Sequence, residues 1–448
     1  MVEDAEGSRL YAEWWRTHPA GLAAAAEDPD RPRFHFLPEP GWMNDPVPIY
    51  ALGAYHVFFQ YQPGRPYWGN IAWGHACSAD LVRWEQWPSA LAPTPGGPDA
   101  GGCWTGSVVD DGGTFRALYT GVAPQVQCLA SSSDLVRWDK YAGNPVIPVA
   151  QRPAGTGETF RDPCVWHEAG TWYMVLGADV PGGGGRPLLY RSLDLLRWQY
   201  VHPLCGGSVV RDECPDLFAL GGRHVLLSSR DHAAWAVGSF SCLRFTPQRH
   251  GLLDAAALYA VKTLLDARGR RIAWGWVREQ RPVADQVCAG WSGVLSLPRV
   301  LRILADGTVG AEPPEELAAL RGALWEPRCP ELAGTRPEQP ASIPVPESGC
   351  FEVHAEFDVR AAGPVGVVVP GTEAMAWPGF AGGHGSLRVF VDRSVVEVFV
   401  DGRQTLTCRS YRAAGGGAHW MGFFGRGGVA LSRLRVWDLG FAARDTTA

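Results

Sequence analysis

The chain repeats one seven-residue phrase at intervals that few architectures tolerate. Ser78-Ala79-Asp80-Leu81-Val82-Arg83-Trp84 returns as Ser132-Ser133-Asp134-Leu135-Val136-Arg137-Trp138 and as Ser192-Leu193-Asp194-Leu195-Leu196-Arg197-Trp198. A worn copy is Ser241-Cys242-Leu243-Arg244-Phe245, and the closing aromatics lie 54, 60 and 47 residues apart. Self-similarity near 50 residues marks solenoids, propellers and arrays. Between copies run strand-like segments such as Tyr55-His56-Val57-Phe58-Phe59-Gln60-Tyr61 and Thr171-Trp172-Tyr173-Met174-Val175-Leu176, punctuated by Gly and Pro. About four strands per unit without a helix is a propeller blade. A last unit, about 255–300, lacks the phrase but keeps Arg271-Ile272-Ala273-Trp274-Gly275-Trp276. The expectation is five blades over about 31–310.

The repeat also places three acids. Trp42-Met43-Asn44-Asp45-Pro46 sets a carboxylate beside one of only three asparagines (Asn44, Asn70, Asn144) in 448 residues. Phe160-Arg161-Asp162-Pro163 and Asp212-Glu213-Cys214-Pro215-Asp216 follow. Asp45, Asp162 and Glu213 precede their units' closing aromatics by 39, 36 and 32 residues, and Trp104-Thr105-Gly106-Ser107 stands 34 residues before Trp138. All fall near the start of a unit, on the innermost strand of a blade, so they should meet at one mouth of the central channel. Acids in several local motifs fit a reaction that needs carboxylates in different protonation states, as glycoside hydrolysis does. The 20 tryptophans serve cores first, but flat indoles also stack on sugar faces.

Beyond the repeat, Pro313-Pro314-Glu315-Glu316-Leu317 opens a short helix-like segment, and Pro is dense over 327–346. From about 349 alternating segments return, such as Leu387-Arg388-Val389-Phe390-Val391-Asp392, over a length that suits a β-sandwich. The whole reads as all-β: an N-terminal extension over 1–30, a five-bladed β-propeller over 31–312, a linker with a short helix over 313–347, and a C-terminal β-sandwich over 348–448. Hydrophobic content of 46% supplies a large core and argues against disorder. A net charge of -6 disfavours nucleic acid and fits a neutral ligand. Eleven scattered cysteines with no Cys-x-x-Cys make disulfide-framework and zinc readings poor. The acidic start shows no apolar signal region, and no run approaches the ~18 apolar residues of a membrane span. Reduced thiols in the cytoplasm, away from membranes, are the expectation.

The ordered motifs resemble glycoside hydrolase family 32, the invertase, inulinase and levanase group. Trp-Met-Asn-Asp-Pro, Arg-Asp-Pro and Glu-Cys-Pro stand in the family's order. Further matches are Phe59-Gln60-Tyr61, Trp68-Gly69-Asn70, Trp73-Gly74-His75-Ala76, Trp104-Thr105-Gly106-Ser107, Gly290-Trp291-Ser292-Gly293 through Arg299, and Asp392-Arg393-Ser394-Val395-Val396-Glu397. The resemblance spans Arg31 to about Trp437 and implies a β-fructofuranosidase with no metal or cofactor, acting on sucrose or short fructans. Asp45 would be the nucleophile and Glu213 the acid/base. Asp162 would grip the ring hydroxyls with Arg161 beside it, unless Arg161 only orients Asp162 through a salt bridge. Asn44 or a backbone N–H would hold Asp45 low. Apolar surroundings would raise Glu213, and the pair should sit ~5–5.5 Å apart. Trp42, Asn44, Gln60, Trp68, Trp104, Thr105 and Trp276 match pocket positions, with Trp274 a near rival to Trp276. Cys214 reads as a buried filler or as tuning Glu213, and His75 as a support for the pocket.

One departure stands out: the family usually continues Asn-Gly after Asp-Pro, and this chain has Val47-Pro48. Val and Pro resist positive φ, so the turn behind the nucleophile should differ. Fructosyl transfer on the same site remains an alternative, as does a non-catalytic carbohydrate-binding propeller. The sandwich is open to packing on the propeller, joining a homo-oligomer, or binding polymer.

Overall fold

The computed structural model describes residues 28–179, 185–205, 213–360, 363–377, 380, 383–411, 420–425 and 428–441. Five antiparallel four-stranded sheets form the blades of a propeller. Blade 1 holds Gly41–Ala51, Ala54–Pro63, Ala72–Ser78 and Glu85–Leu91; blade 2 holds Gly102–Asp111, Thr114–Val122, Val126–Ser132 and Asp139–Lys140. Blade 3 holds Phe160–Glu168, Thr171–Ala178, Leu188–Ser192 and Gln199–Pro203; blade 4 holds Glu213–Leu220, Arg223–Ser229, Ala233–Ser241 and Arg244–Asp254. Blade 5 holds Leu258–Leu265, Arg271–Val277, Arg299–Ile303 and Val309–Glu312.

The repeated phrase is the turn into each outermost strand. In its first three copies the Asp carboxylate accepts the two backbone N–H groups that follow the Leu, at 2.7–2.9 Å. The Leu takes a left-handed φ of 61–66° while burying its side chain. Trp138 and Trp198 donate their indole N–H back to that leucine's carbonyl. Asp supplies the turn acceptor and Leu the anchor, which is why these residue types recur. The worn copy keeps positive φ at Cys242 and Leu243.

Trp291–Ser292 pairs in parallel with Gly41–Trp42, so a segment following the short helix Val283–Ala289 of blade 5 locks onto blade 1. Gly293 makes this closure fit. Its φ is +77°, and a Cβ there would stand 2.0 Å from the Met43 carbonyl oxygen and 3.0 Å from Trp276 Nε1. Gly293→Ala is therefore expected to cost about 2–3 kcal/mol of stability, read from urea unfolding.

The sandwich faces a six-stranded sheet (ordered Gln404–Arg409, Val395–Val400, Gly383–Asp392, Cys350–Val359, Val429–Leu439, Arg321–Trp325) with a four-stranded one (Ala341–Pro344, Trp420–Gly425, Val365–Val368, Met375–Trp377). The segment 313–347 is thus no bare linker. Its helix-like start is a 3-10 helix, Glu315–Leu320, and Arg321–Trp325 and Ala341–Pro344 are strands of the two sandwich sheets. The proline count hid them, because proline is tolerated at strand edges and ends, as Pro344 is here. The sandwich also continues blade 4, through a parallel bridge between Asp254 and Thr405.

At the junction lies a buried ionic cluster. His35 bridges Asp392 (Nδ1 to Oδ2, 2.9 Å) and Glu397 (Nε2 to Oε1, 3.1 Å), all fully buried. Asp392 also accepts the N–H groups of Arg33, Phe34 and His35. Glu397 accepts Leu297 N–H and pairs with Arg299 Nη2, each at 2.8 Å. The Asp392-to-Glu397 motif is therefore a joint between domains.

Candidate active site

Every innermost strand carries a bulge at the same height. Register breaks occur between Asn44 and Pro46, Trp104 and Gly106, Glu213 and Asp216, and Tyr259 and Lys262, with the blade 3 break opposite Asp162. Asp45, Asp162, Cys214 and Ala260 take positive φ there, at 31°, 63°, 48° and 51°. A bulge re-aims side chains. Here it brings consecutive residues to the same mouth: Asn44-Asp45, Trp104-Thr105, Arg161-Asp162, Glu213-Cys214 and Tyr259-Ala260. Glu213 is thus one place out of step with the two aspartates, which correspond to Cys214.

Asp45 is buried and accepts hydrogen bonds at Oδ2 from Thr105 Oγ1 (2.6 Å) and Gln60 Nε2 (3.0 Å), with the Cys214 thiol at 3.6 Å. Asn44 is not its donor, and Asn44 Oδ1 has no protein partner. Nor is the carboxyl held low. Burial first, and then the charge of Asp162, push it up to about 7 against the pull of Thr105.

Asp162 Oδ2 accepts Cys214 N–H at 3.0 Å and has the Cys214 thiol at 3.6 Å, while Arg161 Nε stands 3.7 Å away. Burial raises Asp162 against the opposing Arg161 charge. Arg161 also makes a close ion pair with Glu213 Oε1, so it spans two of the three acids. The Glu213 surroundings are polar, contrary to expectation: Tyr259 Oη contacts its Oε2, and its side chain is 30% exposed. Cys214 serves both aspartates and has no bond to Glu213.

Indoles wall the pocket. Trp42 packs edge-on to Trp68 (4.8 Å) and against Trp276 (6.1 Å), and Trp68 meets Trp104 at 5.6 Å. Trp276 also meets Tyr259, and its indole N–H has no protein partner. Trp274 is buried against Trp84, whereas Trp276 stands among Trp42 and Tyr259. His75 does not reach the pocket. It stacks on Phe58 at 4.1 Å inside blade 1, bonds His56, and is pushed down to about 3 by burial.

Val47-Pro48 forms no turn. Both continue the strand, paired with Phe58 and Val57, and the positive φ falls on Asp45 itself. Tyr259 is the residue the sequence reading missed. Its signal was available: it occupies the fifth unit's place in the register that gives Asn44, Trp104, Arg161 and Glu213. Among the described residues no group of three or more His, Cys, Asp or Glu forms a metal site.

The Glycosyl hydrolases family 32 N-terminal domain matches residues 35–313, and the family 32 C-terminal domain matches 372–438. The chain is 34% identical to raffinose invertase of Escherichia coli over 86% of this chain and 90% of that protein. It is 31% identical to fructan 1-exohydrolase of Bromus pictus, over 91% and 86%. The crystal structure of fructan 1-exohydrolase IIa from Cichorium intybus superposes with a TM-score of 0.82 at 27% identity, covering 92% of this chain and 98% of that one.

Proposed function

The chain belongs to glycosyl hydrolase family 32, and on that footing we propose a retaining β-fructofuranosidase that frees terminal fructose from sucrose or short fructans. The carrying observation is the convergence of Asp45, Asp162 and Glu213 from three blades onto one indole-walled mouth. Relatives named as invertase and fructan exohydrolase bracket the same substrate class, and a structural neighbour was solved in complex with 1-kestose.

Asp45 attacks the anomeric carbon and forms a fructosyl ester, and Glu213 protonates the leaving oxygen, then takes a proton from water. Tyr259 fits that cycle. Its hydroxyl lies 2.7 Å from the Arg230 carbonyl oxygen as well as against Glu213. Tyr259 donates to Glu213 Oε2 while Arg161 holds Oε1, so the two together fix the carboxyl at the mouth. Asp162 accepts from sugar hydroxyls as positive character grows on the ring. Gln60 and Thr105 aim Asp45, and the unpartnered Trp276 N–H and Asn44 Oδ1 are left for the substrate.

Timed release of free glucose and free fructose from sucrose tests this. Equal release establishes hydrolysis, glucose in excess establishes transfer to a sugar acceptor, and no release from sucrose or from 1-kestose rejects the proposal.

A further inference from the structure

Two residues beyond each bulge, the inner strands form a second ring: Val47, Ser107, Cys164, Asp216 and Lys262. All five line an axial cavity of about 400 Å³ directly beneath the acids. Lys262 is one of two lysines in the chain, Lys140 being the other, and arginine carries the rest of the positive charge. It is 3% exposed, on the strand Leu258–Leu265, and donates to the Pro215 carbonyl oxygen at 2.7 Å. Its hydrogen bond goes to the main chain of the neighbouring blade, under Cys214.

We propose that Lys262 is a positioning residue that acts on Asp162 by charge: its ammonium, held below the acid ring under Cys214, favours the ionised form of the carboxylate that grips the sugar.

The charges facing the two rings support this. Blade 1 contributes Asp45; blade 3 contributes Arg161, Asp162 and the Cys164 thiol; blade 4 contributes Glu213, Asp216 and the Cys214 thiol; blade 5 contributes the Tyr259 phenol and Lys262; blade 2 offers only hydroxyls. Asp216 is occupied by Thr263 Oγ1 at 2.7 Å and by the Cys164 thiol at 3.4 Å, and the cavity's other cation, Arg271, acts on Asp216. That leaves Arg161 and Lys262 against three acids. Arg161 stands in the ring itself, on Asp162 and Glu213, and Lys262 is the cation below it. Without Lys262 part of the charge that offsets burial is lost, and Asp162, the less exposed of the two aspartates, takes a proton more readily. The field of Lys262 acts on both Asp162 and Cys214, which places its charge at the right depth.

This inference rests on the proposed activity, so the parent enzyme is assayed first: its failure to release fructose would strike that reading and not this one. Lys262→Gln keeps a donor for Pro215 and removes only the charge. The acidic limb of its kcat/KM profile should move up by about one pH unit, roughly a tenfold loss on the acid side, while Lys262→Arg leaves the limb in place. A Gln profile that overlays an active parent's would overturn the proposal and leave Lys262 a strand staple. A second reading does not need activity. The loss in thermal midpoint of the Gln variant should shrink between pH 7 and 4, as protonation relieves the charge, and a pH-independent loss would equally overturn it.

Discussion

Asp45→Asn is expected to abolish fructose release and at the same time raise thermal stability. Loss of a nucleophile removes on the order of 10⁴-fold or more of kcat. The stability gain follows from linkage. A carboxyl pushed up to about 7 in the folded site, against about 3.9 in an unfolded chain, binds its proton more tightly when folded. It therefore opposes folding increasingly as pH rises from about 4 through 7, because the native state must then either hold a buried charge or keep the proton. Asparagine has the shape and an acceptor for Thr105 and Gln60, and never ionises. The three-unit gap sets a ceiling of about 4 kcal/mol, and Asp162 relaxes when its neighbour is neutralised, so about 1–3 kcal/mol is expected at pH 7. Scanning calorimetry at pH 7 and pH 4 checks it. The gain should be present at the first and gone at the second, and an unchanged or lower midpoint at pH 7 would refute the account. The active site is thus a place where stability is given up so that two carboxylates can stand side by side.

The architecture was legible because the repeated phrase is itself a structural device. Asp80, Asp134 and Asp194 cap the same turn in three blades, and their spacing counts out the blades. The site was legible because register carries innermost strands to a shared axis. What the sequence hid is the bulge. It makes two residues per strand face the mouth, so Cys214 and Tyr259 enter the site although neither looks catalytic alone. It also puts positive φ on Asp45, where no Asn-Gly signal exists to announce it. Electrostatics was the least legible layer. Which donors reach Asp45, and that Arg161 spans Asp162 and Glu213, depends on contacts between blades far apart in sequence. Similarly, Glu397 in a sandwich strand gives no local hint that its partners are His35 and Arg299.

Those partners make Arg299→Met the largest stability loss expected of a residue outside the pocket, about 3–5 kcal/mol. Arg299 is fully buried, pairs with Glu397 at 2.8 Å, donates to Thr407 Oγ1 at 2.7 Å and stands 3.8 Å from Asp254. Methionine fills the volume but leaves the buried Glu397 with His35 as its ionic contact and Asp254 with the Thr405 and Thr407 hydroxyls. Urea unfolding should show the loss, and should show it as propeller and sandwich unfolding in separate steps, since this cluster ties them. A variant within about 1 kcal/mol of the parent would mean that the apolar contacts of Phe34, Phe390, Phe399 and Trp437 hold the domains unaided. The sign of the pH dependence gives an independent check. Asp392 and Glu397 outweigh burial and raise His35 above its ordinary value. Its contribution is complete below about pH 6.5 and is lost as pH rises through that raised value, with a slope of up to about 1.4 kcal/mol per pH unit. His35→Gln should be less stable at neutral pH and should lack this alkaline decline. If parent and His35→Gln instead run parallel from pH 6.5 upward, the imidazole is neutral in the folded protein and the junction is held by Arg299 alone.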